Sequence, residues 1–218
     1  MKLKTTRKIV LILLVCLLNF WIWRVLSESI LLGAALVLLS VFLAFKLKLF
    51  SIITFIALSI FLLKSTLDTN LLYISPLEND RLSNRHEYYA EGLGKIYRNR
   101  IGVYLHYKLT PYLFKFQRNL FYNLDPNLYF FSTHPRERLG IDEFSKFSPL
   151  ALPVFLIGLS MFLRGENRFL TFYLLSAVFV SGFIFPGYKL GPILIFPFMI
   201  AVTYLGFLRV IKKILMNL

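Results

Sequence analysis

Apolar residues arrive in blocks along this chain, and short basic segments separate the blocks. A helix that spans a bilayer needs about 20 mainly apolar residues. Two of the blocks, residues 30–45 and 49–63, fall slightly short, and flanking residues or local thinning of the bilayer would close the gap. The pattern predicts an all-α, polytopic membrane protein with about six transmembrane helices, over residues 9–25, 30–45, 49–63, 150–163, 169–185 and 193–208.

The composition changes between the third and fourth blocks. Residues 65–148 hold all three histidines and nine of the eleven acidic residues of the chain. Within this stretch, Tyr88 to Asn123 has helical spacing and mixes aromatic with basic residues, as do segments that lie in the headgroup plane. We therefore expect three parts: residues 1–64 with helices 1–3, a mostly helical polar domain over 65–148, and residues 149–218 with helices 4–6.

The chain starts with a basic segment, Met1–Lys8, which the first apolar block follows. That block is longer than the core of a cleaved signal peptide, and no small-residue cleavage site follows it. The pattern therefore favours a retained signal anchor. Trp21 and Trp23 near its far end are typical of an aromatic belt at the membrane interface.

The formal net charge of +14 is distributed as membrane-flanking charge. Residues 65–148 are close to balance, with 11 Lys or Arg against 9 Asp or Glu, and the other basic residues flank the apolar blocks. This distribution disfavours nucleic-acid binding. With six helices, eleven basic residues fall on the side of both termini and three on the other side. Because basic residues are enriched on the cytoplasmic side of a membrane, both termini should be cytoplasmic and residues 65–148 extracytoplasmic.

The densest polar cluster is His134 to Arg138, with Asp142 and Glu143 close behind it. Arg136 and Arg138 are two guanidinium forks that can bind a phosphate, and His134 can add a donor. The alternative is a charged turn whose side chains pair with one another in solvent, which the sequence favours because such pairs form easily.

The sequence predicts no metal site and no cofactor. His86 with Glu87 and Glu91 is the nearest approach to a ligand set, but only one histidine is local, and a surface role is favoured. The single cysteine, Cys16, lies inside the first apolar block and cannot form an intrachain disulfide. The spans carry almost no ionisable residues, which disfavours an ion pump.

Residues 119–208 resemble the C-terminal part of GT-C-type membrane glycosyltransferases, which are polytopic enzymes related to protein mannosyltransferases. The resemblance lies in the aromatic stretch 119–131, in His134 to Ile141, and in the helix start Leu152 to Leu159. Family members carry a catalytic acid in the first outer loop, where this chain has only Glu28. The resemblance therefore implies a polyprenyl-phosphate-sugar enzyme architecture without that catalytic equipment.

Three functions follow from these observations. The first is an accessory, non-catalytic membrane protein in cell-envelope glycan or glycoprotein assembly, with Arg136, Arg138 and Lys189 contacting a lipid-linked phosphate or a larger membrane enzyme. The second is a minimal active lipid-linked sugar transferase, with Asp125, Asp142 or Glu143 as its acid. The third is a structural membrane protein whose outer domain mediates assembly.

Overall fold

The computed structural model of the protein describes residues 5–66, 76–94, 99–105, 109–131, 146–165, 167–184 and 190–217. Within these residues all regular secondary structure is helical, as the sequence predicts. The helices are α1 (Thr5–Leu17), α2 (Phe20–Glu28), α3 (Ile30–Ala44), α4 (Lys48–Thr66), α5 (Pro76–Leu93), α6 (Arg100–Tyr104), α7 (Thr110–Leu124), α8 (Asn127–Phe130), α9 (Leu152–Arg164), α10 (Arg168–Gly182) and α11 (Phe196–Asn217). Short 3-10 turns at Pro149–Ala151 and Ile193–Ile195 precede α9 and α11.

Two helical stretches among the described residues are long and apolar enough to cross a membrane, Lys48–Ser65 and Ile193–Ile214. Two bent pairs of helices raise the number of candidate spans to four if each pair is counted as one crossing. At 1.5 Å per residue, α3, α9 and α10 each extend only about 20 Å, which is less than a hydrocarbon core of about 30 Å. The described part of the chain is thus all-helical, with two to four candidate membrane spans by length and hydropathy.

The first apolar block is two helices rather than one continuous span. Helix α1 ends at Leu17, and α2 leaves it at an angle of 77°. Asn19 lies at the break in an extended conformation, and its side chain accepts a hydrogen bond from the Trp21 amide at 2.8 Å. Asparagine is a strong helix N-cap, so it starts a new helix here. The predicted transmembrane helix over residues 9–25 therefore consists of two helices joined at a bend.

Helix α11 is the centre of the bundle. It packs on α9, α3 and α1, and most of its candidate span is buried, whereas most of the span in α4 is exposed. The exposed faces of the outer helices carry large apolar side chains, which a bilayer would cover. Examples are Leu31, Leu49, Ile60, Leu163 and Phe172.

Helices α9 and α11 run antiparallel in close contact. Gly158 faces the backbone of Val202, and Gly206 faces the backbone of Val154. Farther along α9, the rings of Phe162 and Phe198 lie 5.4 Å apart. Three consecutive alternating spans would make α9 and α11 parallel, so the arrangement of 150–163, 169–185 and 193–208 as three full crossings does not match the structure.

Helix α10 connects α9 to α11 at one end of the bundle. It turns 115° from α9 and packs mainly on α7 and on the 3-10 turn before α11. Tyr173 of α10 donates a hydrogen bond to the carbonyl of Leu194 at 2.7 Å. The turn at residues 164–168 thus lies near the start of α11, the end at which Trp21 contacts Phe196.

Candidate functional site

Segments that are far apart in the sequence meet around Trp21, which is fully buried. Its indole N–H donates to the carbonyl of Leu190 at 2.6 Å, and its backbone amide donates to the carbonyl of Lys146 at 3.1 Å. Its ring lies 5.8 Å from Tyr129 and 5.6 Å from Phe196. We call these five residues, Trp21, Tyr129, Lys146, Leu190 and Phe196, the Trp21 junction.

The local sequence explains why Trp21 is directed inward. The break at Leu18 and Asn19 begins a new helix, and the buried face of α2 carries Trp21, Ile22 and Val25. Trp23, two residues from Trp21, is 56% exposed, and its indole donates to the carbonyl of Leu17. The sequence suggests an interfacial position for both tryptophans, whereas the structure places only Trp23 on the surface.

Lys146 is a cation buried at this junction, with 4% of its surface exposed. Its ammonium group donates to the carbonyl of Leu128 at 3.0 Å and lies 5.7 Å from the centre of the Trp21 ring. Both contacts suit a buried cation, since a carbonyl dipole and an aromatic face each carry negative potential toward it. Gly191 has a φ of 67° beside it, and a Cβ atom there would lie 2.8 Å from the Lys146 Cε atom. Lys146 therefore holds its own segment against α8.

Tyr129 is another buried member of the Trp21 junction. Its hydroxyl donates to the carbonyl of Asn123 at 2.5 Å. Burial, with the nearby Tyr122 and Asp125 as smaller causes, holds the pKa of the Tyr129 phenol well above its usual range. The hydroxyl therefore stays neutral and acts as a hydrogen-bond donor, which excludes a phenolate role at neutral pH.

Polar side chains also lie between α7 and α10. The Asn119 amide donates to the carbonyl of Gly182 at 3.1 Å. The Asn119 carbonyl oxygen, the Asn123 amide nitrogen and the Ser181 hydroxyl are buried, and none has a hydrogen-bond partner among the described residues. The Asn119–Gly182 hydrogen bond therefore links α7 to α10, whereas each buried group without a partner has a desolvation cost.

Asp125 is the one predicted catalytic candidate that the structure describes. It is partly exposed at the end of α7, and its carboxylate accepts a hydrogen bond from the Asn127 amide at 2.9 Å. That contact lies in the turn between α7 and α8, so the carboxylate has a local structural role there. Glu28, the positional counterpart of the family acid, is exposed at the end of α2.

The remaining predicted site residues lie outside the described residues. These are the phosphate-binding candidates His134, Arg136, Arg138 and Lys189 and the acids Asp142 and Glu143. Their neighbours in the chain are described and meet at the Trp21 junction, where Lys146 follows residues 132–145 and Leu190 follows Lys189. Sequence reasoning missed Trp21 and Lys146 as partners, and no local pattern joins them.

No metal-binding group of His, Cys, Asp or Glu side chains occurs within the described part of the chain. Comparison of the sequence and the fold with family models, curated proteins and solved structures found no match. The described residues form an all-helical structure with two to four candidate membrane spans and an aromatic junction around Trp21, which suggests a membrane protein.

Proposed function

We propose that this chain is an accessory, non-catalytic membrane protein that binds a lipid-linked phosphate, or a larger enzyme that uses one, beside the Trp21 junction. One observation carries the proposal. Trp21 donates hydrogen bonds to the carbonyls of both Lys146 and Leu190, so these two residues, which directly follow segments 132–145 and 185–189 in the sequence, lie close together. Arg136 and Arg138 belong to the first segment, and Lys189 belongs to the second. Several cations that share one phosphate are a typical way to bind it.

We further propose that the Trp21 junction lies at the extracytoplasmic end of the bundle and that both termini are cytoplasmic. The contacts of Phe162 and Tyr173 support one change to the expected topology, since they associate the turn at 164–168 with the junction. If Arg164 and Arg168 lie on the extracytoplasmic side with the junction, nine basic residues remain on the side of the termini and five lie on the other side. The excess still favours cytoplasmic termini.

Single cysteines can test this topology. In a Cys16→Ser background, Ser148→Cys and Gly165→Cys should react with a membrane-impermeant maleimide from the same side of the membrane. Met216→Cys should react only from the other side, because it lies about 30 Å farther along α11 than Phe196. All three positions are at least partly exposed. Labelling of Gly165→Cys together with Met216→Cys, and not with Ser148→Cys, would contradict the proposed end of the bundle.

If Arg136 and Arg138 bind the phosphate, removal of their guanidinium groups should weaken phosphate binding. The double variant Arg136→Gln/Arg138→Gln should bind a polyprenyl monophosphate at least about tenfold more weakly, because charge-assisted hydrogen bonds to phosphate are lost. The measurement is titration of the purified chain in phosphatidylcholine nanodiscs with that lipid. Arg81→Gln/Arg85→Gln is the matched control, because both arginines are exposed on α5 and carry the same charge.

Equal binding by the two double variants would exclude the phosphate role of Arg136 and Arg138. Sugar release by the wild-type protein, lost on removal of Asp125, Asp142 or Glu143, would instead support the active transferase. If the wild-type chain does not bind the lipid at all, the structural function remains. The described contacts around Trp21, which are packing and hydrogen bonds between segments, favour it as the second candidate.

A further inference from the structure

An open groove of about 380 Å³ lies beside the turn between α9 and α10. Its polar end is formed by Asn167, Arg168 and Thr171, and its apolar end by Phe172 and Leu175, with Gly165 completing the wall. None of its lining residues belongs to the Trp21 junction. It combines one cation with a hydrocarbon surface.

The apolar end of the groove continues along α10. Phe172 and Leu175 are 65% and 64% exposed, and Phe179 farther along is 55% exposed. With Arg168, these residues have the spacing i, i+4, i+7 and i+11, which places them on one face of the helix. This exposed face therefore extends about 16 Å from Arg168 to Phe179, at 1.5 Å per residue, with the basic group at its start and apolar side chains over the remainder.

The positive charge at the polar end of the groove favours the binding of an anion. Arg168 is the first residue of α10, where the helix dipole is positive, and the first turn contains no acidic residue. A cation at this position opposes the dipole, whereas an anion is stabilised by both. The side chain of Asn167, the N-cap, makes no capping hydrogen bond, so it leaves the first amides of α10 uncapped. The Arg168 side chain is exposed, so an anion can reach it.

We propose that this groove binds an anionic phospholipid. The headgroup phosphate would accept hydrogen bonds from Arg168 and from the first amides of α10, and an acyl chain would lie along Phe172, Leu175 and Phe179. A phosphate ion from solution would fill only the polar end and leave the exposed stripe without a partner. A lipid covers both parts, and charge complementarity selects an anionic lipid over a zwitterionic one.

The test uses the purified full-length chain in phosphatidylcholine nanodiscs, titrated with phosphatidylglycerol. We expect Arg168→Gln to weaken phosphatidylglycerol binding about tenfold. Arg209→Gln should weaken it less than about twofold, and Arg209 is a suitable control because it is also an exposed cation, on α11. Phe172→Ser should also weaken binding, and inorganic phosphate at the same concentration as the lipid should not displace it.

Equal losses in Arg168→Gln and Arg209→Gln would show non-specific attraction to a negative surface and overturn the site. Unchanged binding in Phe172→Ser, together with displacement by inorganic phosphate, would show a site for soluble phosphate and overturn the lipid. Arg168→Gln removes an unfavourable charge at a helix start, so its helical circular dichroism should match that of the wild type. A failure of Arg136→Gln/Arg138→Gln to alter polyprenyl phosphate binding would leave this groove unaffected.

Discussion

Gly158→Ala is expected to destabilise the folded protein by about 2–3 kcal/mol, although alanine is the better helix former. An added Cβ atom would overlap the carbonyl oxygen of Val202, which belongs to the backbone of α11 and cannot rotate away. The reciprocal contact holds for Gly206, whose Cβ would overlap the carbonyl oxygen of Val154. Helices that approach at glycine gain packing and Cα–H contacts to carbonyls, and a larger side chain separates them.

The measurement is thermal unfolding in detergent, followed by circular dichroism. Gly92→Ala is the matched control, since Gly92 is also in a helix, and a Cβ atom there would meet nothing within 4 Å. That variant should be neutral or up to about 1 kcal/mol more stable, because alanine lowers the entropy of the unfolded chain. If both variants unfold at the wild-type temperature, α9 and α11 do not approach at these glycines.

Trp21→Ala should cost about 3–5 kcal/mol, the usual range for loss of a large buried aromatic side chain. The substitution removes the ring contacts to Tyr129 and Phe196 and the hydrogen bond to Leu190 together. Trp21→Phe separates the two contributions. It keeps a ring in place and leaves the Leu190 carbonyl without its donor, so we expect a smaller loss, of about 1–3 kcal/mol.

Trp23→Ala is the control for this series. Trp23 lies two residues away and also donates an indole hydrogen bond, but it is mostly exposed, so its loss should cost less than about 1 kcal/mol. The same variant leaves Trp21 as the single tryptophan, and its fluorescence should be that of a buried indole. Equal destabilisation by Trp21→Ala and Trp23→Ala would show that the junction does not hold the bundle together.

The helical character of the chain could be predicted because it is a local property. Apolar runs between basic segments predict α3 and α4 to within a few residues, whereas the first block is divided between α1 and α2, and α11 continues to Asn217, nine residues beyond its predicted block. The break at Asn19 was also readable in principle, because asparagine is a common N-cap. The long apolar run on both sides of Asn19 concealed it, since hydropathy averages over the whole window.

Of the predicted site residues, Asp125 lies in the described part of the chain and accepts a hydrogen bond from the Asn127 amide, whereas the phosphate-binding candidates stay predictions. The groove at Arg168 could not be foreseen from the sequence, where Arg164 and Arg168 look like an ordinary basic turn between two spans. The groove depends on the 115° turn between α9 and α10. The face of α10 that carries Phe172 and Leu175 is exposed in this arrangement.

The sequence by itself determined that the chain carries apolar helical segments suited to a bilayer, because the transfer of such segments into a bilayer depends on composition and length. Only the tertiary structure decided the direction of α9 against α11 and the position of the 164–168 turn. It also decided the partners of Trp21, whose indole binds a carbonyl 169 residues away. Contacts between such distant residues depend on shape and hydrogen bonding in three dimensions, which no periodicity along one segment records.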